Sequence, residues 1–146
     1  MPEQGIDLTL RLSLREGSVY YFTERSLTSP EPHYFIVVNS DPLTQQVLLL
    51  AVCSSKVPEV KQRRREWPDT VVQISPQQFD VLKRESIVDC NDLKQVSLRD
   101  FNARFIRKQI KHFGKDLPPD LRRRVRTAIH ASQILPAEIK SLVAPP

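Results

Sequence analysis

His33–Cys53 reads HYFIVVNSDPLTQQVLLLAVC. Two apolar runs, His33–Asn39 and Val47–Cys53, flank Ser40–Thr44, whose Asp41-Pro42 step is a turn signal. Each run is shorter than a typical helix and rich in Val, Leu and aromatic residues, so both are expected as buried strands joined in a hairpin. The turn centres near residue 43, and His33 and Cys53 are equidistant from it. A tight hairpin therefore brings the start of the first strand beside the end of the second.

Working outward, Glu16-Gly17 precedes Val19–Phe22 (VYYF), a further strand by its β-forming residues. Glu24–Pro32, with Ser, Thr and two prolines, is expected as a loop. At the N-terminus Ile6, Leu8, Leu10, Leu12 and Leu14 alternate with polar residues, and this period of two predicts a strand over 6–14. Beyond the hairpin, Lys56–Pro68 (KVPEVKQRRREWP) combines five basic residues with Pro58, Pro68 and the single Trp67. It is expected as a long loop or ribbon leaving the sheet. Val71–Ile74, Ser86–Asp89 and Leu93–Val96 are short strands by pattern, and Ser75-Pro76 opens a helical turn through Phe79. Ser97 can cap a helix over 99–113, where Phe101/Phe105 and Ile106/Ile110/Phe113 fall at helical spacing. Pro118-Pro119 starts a second helix in which Leu121, Val125, Ala128, Ile129 and Ser132 share a face and Arg122, Arg123, Arg124 and Arg126 the other. Residues 136–146 are expected as a frayed tail.

Short strands followed by helices predict a mainly β fold with α: a small, strongly curved sheet or barrel with one or two C-terminal helices segregated to one side. The 146 residues fit a single domain over 1–146, with an N-terminal extension strand at 1–14, a barrel at 15–98, helices at 99–135 and a tail at 136–146.

Composition excludes several classes. The longest apolar run, Val47–Cys53, is far short of the ~18 residues of a membrane span, and the N-terminus lacks a signal-peptide pattern. A cytoplasmic protein without membrane contact is expected. Cys53 and Cys90 have no CxxC or Cys/His spacing, so neither a disulfide scaffold nor a zinc module is expected. Gly5, Gly17 and Gly114 are isolated, which argues against a glycine-rich phosphate loop. No cofactor or metal is expected.

The 22 Lys and Arg against 17 Asp and Glu conceal an asymmetry: residues 1–50 carry a balance of −3 and residues 51–146 one of +8. A basic half points to a polyanion, against the bland alternative of solvated helix faces. Arg63, Arg64 and Arg65, with Lys56, Lys61 and Trp67, pair phosphate binders with a stacking surface, the combination that grips single-stranded RNA. His33 opens a strand beside a loop, where an imidazole suits acid–base work, while Ser54 and Ser55 end the neighbouring strand, where a hydroxyl can donate to an anion. Alone, each is more ordinarily a capping or turn residue; their convergence is what singles them out. Cys53 reads as a small buried hydrophobe rather than a nucleophile. His112 and His130 fall on expected helices and read as solvated, and Asp89 and Asp92 read as turn residues.

The order of these segments resembles a known family. Glu16–Tyr21 (EGSVYY) is similar to the opening (R/K)-G-(D/E)-(V/I)-(Y/W) strand of the PemK/MazF-type mRNA endoribonuclease toxins of toxin–antitoxin systems. His33–Asp41 (HYFIVVNSD) resembles their R-P-(V/A)-(L/V)-V-(I/L)-x-(N/S)-(D/N) strand, and Cys53-Ser54-Ser55 falls where they carry (V/I)-T-(S/A). Trp67-Pro68 with Val71–Ile74 resembles L-P-x-x-V-x-(I/L). Lys83–Val96 (KRESIVDCNDLKQV) resembles their L-x-x-(D/E)-S-x-(V/I)…(Q/D)-(I/L)-(R/K)-(T/V)-(I/V) segment, and Leu121–Leu135 their C-terminal helix. The resemblance covers 15–135 in order. It implies an SH3-like barrel, a homodimer, a cognate antitoxin partner, and a metal-free hydrolase-class endoribonuclease in which the ribose 2′-hydroxyl attacks its own phosphate. It places the family's catalytic Arg on His33 and its phosphate-holding Thr on Ser54. The Thr-to-Ser change keeps the hydroxyl; the Arg-to-His change trades a permanent cation for a titratable group. The alternative is a catalytically inactive nucleic-acid- or protein-binding module on the same barrel.

Overall fold

The computed structural model describes residues 5–24, 27 and 31–146. Of the loop expected at Glu24–Pro32, residues 25–26 and 28–30 lie outside the described residues. The strands are β1 (Val19–Phe22), β2 (His33–Val37), β3 (Val47–Ser54), β4 (Val71–Ile74), β5 (Ser86–Ser97) and β6 (Lys111–His112). All described pairings are antiparallel and form one six-stranded sheet in the order β4-β5-β3-β2-β1-β6. The helices are α1 (Leu8–Ser13), α2 (Pro42–Gln45), α3 (Val57–Arg63), α4 (Leu98–Ile106), α5 (Pro119–Ala131) and α6 (Ala137–Lys140). This is the mixed, curved, barrel-like architecture expected from the pattern of short strands.

The β2–β3 hairpin forms as expected, with one difference of register. Tyr34 faces Cys53, and Val37 faces Leu50. The connection is wider than a tight turn, because Asp41 caps the single-turn helix α2 and Gln46 leaves it with φ 61°. Buried Asn39 closes the loop: its Nδ2 donates to the Val47 carbonyl (2.7 Å), and its Oδ1 accepts from Leu49 N (2.9 Å).

The two strands expected at Ser86–Asp89 and Leu93–Val96 are one strand, β5. It pairs with β4 near its start and with β3 along both halves. Between Ala51↔Leu93 and Cys53↔Val88, residues 89–92 of β5 lie opposite Val52 alone. Such a surplus on one strand bends a sheet.

Helices cover both faces of the sheet, where the sequence suggested one side. Leu121, Val125, Ala128 and Ile129 of α5 pack with Ile36, Leu49 and Val88 on one face. Leu10 of α1 and Leu98 and Phe101 of α4 pack with Tyr20, Phe35 and Leu50 on the other. Burial on both faces explains why VLLLAVC is continuously apolar rather than alternating.

Residues 8–13 are helical, not a strand. The Asp7 carboxylate accepts from the amides of Thr9 (3.0 Å) and Leu10 (3.3 Å) as an N-cap. Within the alternating leucines, Leu10 and Leu14 are four apart and buried, while Leu8 and Leu12 are 67% and 69% exposed. Asp7 N also donates to Asn102 Oδ1 (2.9 Å), pinning α1 to α4. The β1 edge that a further strand would need is occupied by β6.

Four other expectations are corrected. Lys56–Pro68 is not a free ribbon: it contains α3, and a 3₁₀ turn follows at Pro68–Thr70. Its Val60 is buried, which anchors the helix against the sheet. The helix expected over 99–113 ends at Ile106. Lys108 then adopts φ 60°, and the chain returns as the edge strand β6. His112 is consequently on a strand, its ring 5.1 Å from that of Tyr20, and burial pushes its imidazole down. The segment 136–146 is docked rather than frayed: Val143 is buried, and the Leu142 carbonyl accepts from Ser40 N (2.9 Å). Ser97 caps α4 as expected, accepting from Asp100 N (3.1 Å).

Candidate functional site

β2 begins at His33 and β3 ends at Ser54. Because Tyr34 faces Cys53, one further step along the ladder sets His33 level with Ser54. The one-residue change of register matters chemically. Residues directly opposite one another project to the same face, so it is Ser54, not Cys53, that shares a face with His33. Cys53 turns into the core, where burial pushes its thiol up to about 12, and it is unsuited to nucleophilic work at neutral pH.

His33 and Ser54 line a cavity of about 330 Å³ together with Ser55, Lys56, Arg63 and Asp89. Ser54 Oγ accepts from Lys56 N (3.1 Å), which turns the chain from β3 into α3. His33 Nδ1 is buried and has no hydrogen-bond partner among the described residues.

The far wall rests on a polar network that the sequence did not reveal. Asp89, 5% exposed on β5, accepts from Arg64 Nε (3.0 Å) and Arg63 Nη2 (3.4 Å) at one carboxylate oxygen. Its other oxygen accepts from Asn91 N (3.1 Å) and Nδ2 (2.9 Å), and Asn91 Nδ2 also donates to Thr70 Oγ1 (2.8 Å). Burial alone would raise the Asp89 carboxyl, but the Asn91 and Arg64 hydrogen bonds outweigh it and hold the group below the usual carboxylate range. Asp89 is therefore a buried anchor rather than a turn residue. Its signal in the sequence was an aspartate inside the β-forming run SIVDC, a position where only a paired carboxylate is stable.

The residues expected to bind RNA separate into two groups. Ser55, Lys56 and Arg63 line the cavity beside His33 and Ser54. Lys61, Arg64, Arg65 and Trp67 are not in its lining. Arg64 is 16% exposed and tied to Asp89, so it belongs to the wall that supports the site. Lys61 and Arg65 are exposed on and just beyond α3, and Arg65 Nη1 donates to the Gln62 carbonyl (3.0 Å). Trp67 is half-buried, and its carbonyl accepts from Thr70 N (3.0 Å) and Oγ1 (2.6 Å).

Among the described residues no three His, Cys, Asp or Glu side chains are grouped to hold a metal ion. No helix among them is long and apolar enough to cross a membrane.

A curved antiparallel sheet with helices on both faces, opening at one end into a polar cleft, defines a small α/β domain of barrel-like type. The solved structures include one of the same fold: an endoribonuclease in complex with its cognate antitoxin from a mycobacterial species. It aligns with a TM-score of 0.53 over 84% of this chain and 97% of that one, at 12% sequence identity, a likeness of fold. No family model and no curated protein matches the sequence.

Proposed function

We propose that this chain is a toxin-like, metal-independent endoribonuclease acting on single-stranded RNA. The observation that carries the proposal is the placement of His33 level with Ser54 at the mouth of a cavity that also holds Lys56 and Arg63. In this reading the scissile phosphate lies against Ser54 and Ser55, with Lys56 and Arg63 offsetting its charge. His33 accepts the proton of the neighbouring ribose 2′-hydroxyl. The O2′–P bond forms, the P–O5′ bond breaks, and the departing 5′-oxygen takes a proton from solvent. The products are a 2′,3′-cyclic phosphate and a 5′-hydroxyl. Lys61 and Arg65 extend the cationic path along the backbone.

Support comes from the fold shared with an endoribonuclease that was solved with its antitoxin. By the same analogy we propose a homodimer in the cytoplasm with a cognate antitoxin as partner. A monomeric mass by light scattering at micromolar concentration counts against the dimer.

One observation favours a second reading, a catalytically silent RNA- or protein-binding module. Two of the three consecutive arginines are already committed to Asp89, which leaves fewer cations for a phosphate. The test is cleavage and binding of a fluorescent single-stranded RNA. His33→Ala is expected to lower cleavage by roughly 10²–10⁴-fold, the scale of acid–base catalysis, with little change in affinity. Equal cleavage by both proteins makes His33 a bystander. Tight binding without cleavage by either favours the silent module.

A further inference from the structure

A second concavity adjoins the cleft from the opposite face of the sheet. In the β1–β2 ladder Tyr21 lies directly opposite Tyr34, with ring centroids 4.7 Å apart. Phe113 follows the edge strand β6 and brings its ring to 5.3 Å from Tyr34 and 6.1 Å from Tyr21. All three rings are half-buried. They line a cavity of about 330 Å³ whose other walls include Lys83, Arg84 and Lys111. His33, Ser55 and Glu31 border both this cavity and the cleft.

A cross-strand tyrosine pair by itself stabilises a hairpin and needs no other role. Packing does not account for the cations. Lys83 and Arg84 are exposed, and Lys111 Nζ sits 5.1 Å from the centroid of Phe113. Three positive groups against the single acidic residue Glu31 leave the lining of this concavity net positive, which favours an entering anion. Planar rings that keep a free portion, next to cations, form the surface on which single-stranded nucleic acid stacks a base and rests its phosphates.

We propose that Tyr21, Tyr34 and Phe113 form a base-stacking subsite for the nucleotide next to the phosphate held at His33 and Ser54, with Lys83, Arg84 and Lys111 on the adjoining backbone. The proposal rests on the RNA reading of the cleft and carries the RNA path around the end of the sheet. His33, at the shared rim, is the point where the strand passes from one concavity to the other.

The probe is a short single-stranded oligonucleotide in which 2′-fluoro replaces each 2′-hydroxyl, so that it cannot be cut, with 2-aminopurine at successive positions. Wild-type protein should quench 2-aminopurine at one position, the signature of stacking. Tyr34→Leu should abolish that quench and weaken binding by about 5- to 150-fold, the 1–3 kcal/mol of one stacked base. Tyr34→Phe should keep both. Phe113→Leu, on a different segment, gives an independent reading if the first variant does not fold. Unchanged quench and affinity in a leucine variant with a native circular-dichroism spectrum overturn the subsite. So does a wild-type protein that does not bind the oligonucleotide. Quenching without cleavage of ordinary RNA keeps the subsite and removes the catalytic reading; cleavage without quenching does the opposite.

Discussion

Replacing Asp89 with alanine removes the anchor on which α3 and the wall of the cleft depend. The carboxylate is 5% exposed and accepts four hydrogen bonds, two from arginines and two from Asn91. Its loss leaves the Arg64 guanidinium, 16% exposed, without a counter-charge. Breaking a buried ion pair by removing one partner costs about 3–5 kcal/mol, and the remaining solvent access of Arg64 places this case near the lower end, about 3 kcal/mol. For a chain of this size each kcal/mol moves Tm by about 2–4 °C, so Asp89→Ala should melt about 6–12 °C below wild type. Thermal unfolding followed by circular dichroism at neutral pH reads this directly. The double variant Asp89→Ala, Arg64→Met should recover part of the loss, because no buried charge is then left unpaired. The sign of the pH dependence is also determined. The Asp89 carboxyl is held lower in the folded state than in the unfolded chain. Its contribution is therefore complete above the unfolded value of about 3.9 and is lost as pH falls through the folded one. The gap between wild type and Asp89→Ala should be constant from neutral pH to about 5 and close below about 4. A Tm within about 1 °C of wild type at neutral pH, or a gap that widens on acidification, refutes the role given to this network.

Three further outcomes follow from the same structure. Leu10→Ala should cost about 2–5 kcal/mol in denaturant unfolding, while Leu12→Ala should stay within about 0.5 kcal/mol; a strand over 6–14 would put both side chains on one face and make the losses similar. Lys61→Ala with Arg65→Ala should weaken RNA binding at every sequence and flatten the salt dependence by up to ~0.7 for each phosphate no longer neutralised, with Tm unchanged; an unaltered slope excludes these two cations from the RNA path. Cleavage should persist in EDTA, because the attacking group is the substrate's own hydroxyl, and activity lost in chelator and restored by magnesium would remove that mechanism.

Where neighbours in sequence supply the physics, the chain could be read directly. The β2–β3 hairpin follows from two apolar runs around Asp41-Pro42, the helix after Ser97 from its capping hydroxyl, and the helix after Pro118-Pro119 from an apolar face at spacings of three and four. The convergence of His33 with the end of β3 was legible for the same reason, to within one residue of register. That residue lay beyond the sequence, because α2 and Gln46 widen the connection, and a shift of one exchanges the two faces of a strand.

Other features depend on what a segment meets in space. The leucines of 6–14 satisfy both a period of two and a spacing of four. The helix prevails because Asp7 caps it, Asn102 receives it, and the neighbouring sheet edge is already filled by β6. Whether three consecutive arginines face solvent or a carboxylate is likewise invisible locally: Arg64 is largely covered because Asp89, 25 positions away, arrives beneath α3. The aromatic platform joins residues 21, 34 and 113, which no window along the chain contains. Which segments could be strands and helices was written in the order of the residues, since propensity and periodicity act between neighbours. Which charges are paired and which side chains share a concavity emerged with the folded chain, since those energies arise between groups that the fold alone brings together.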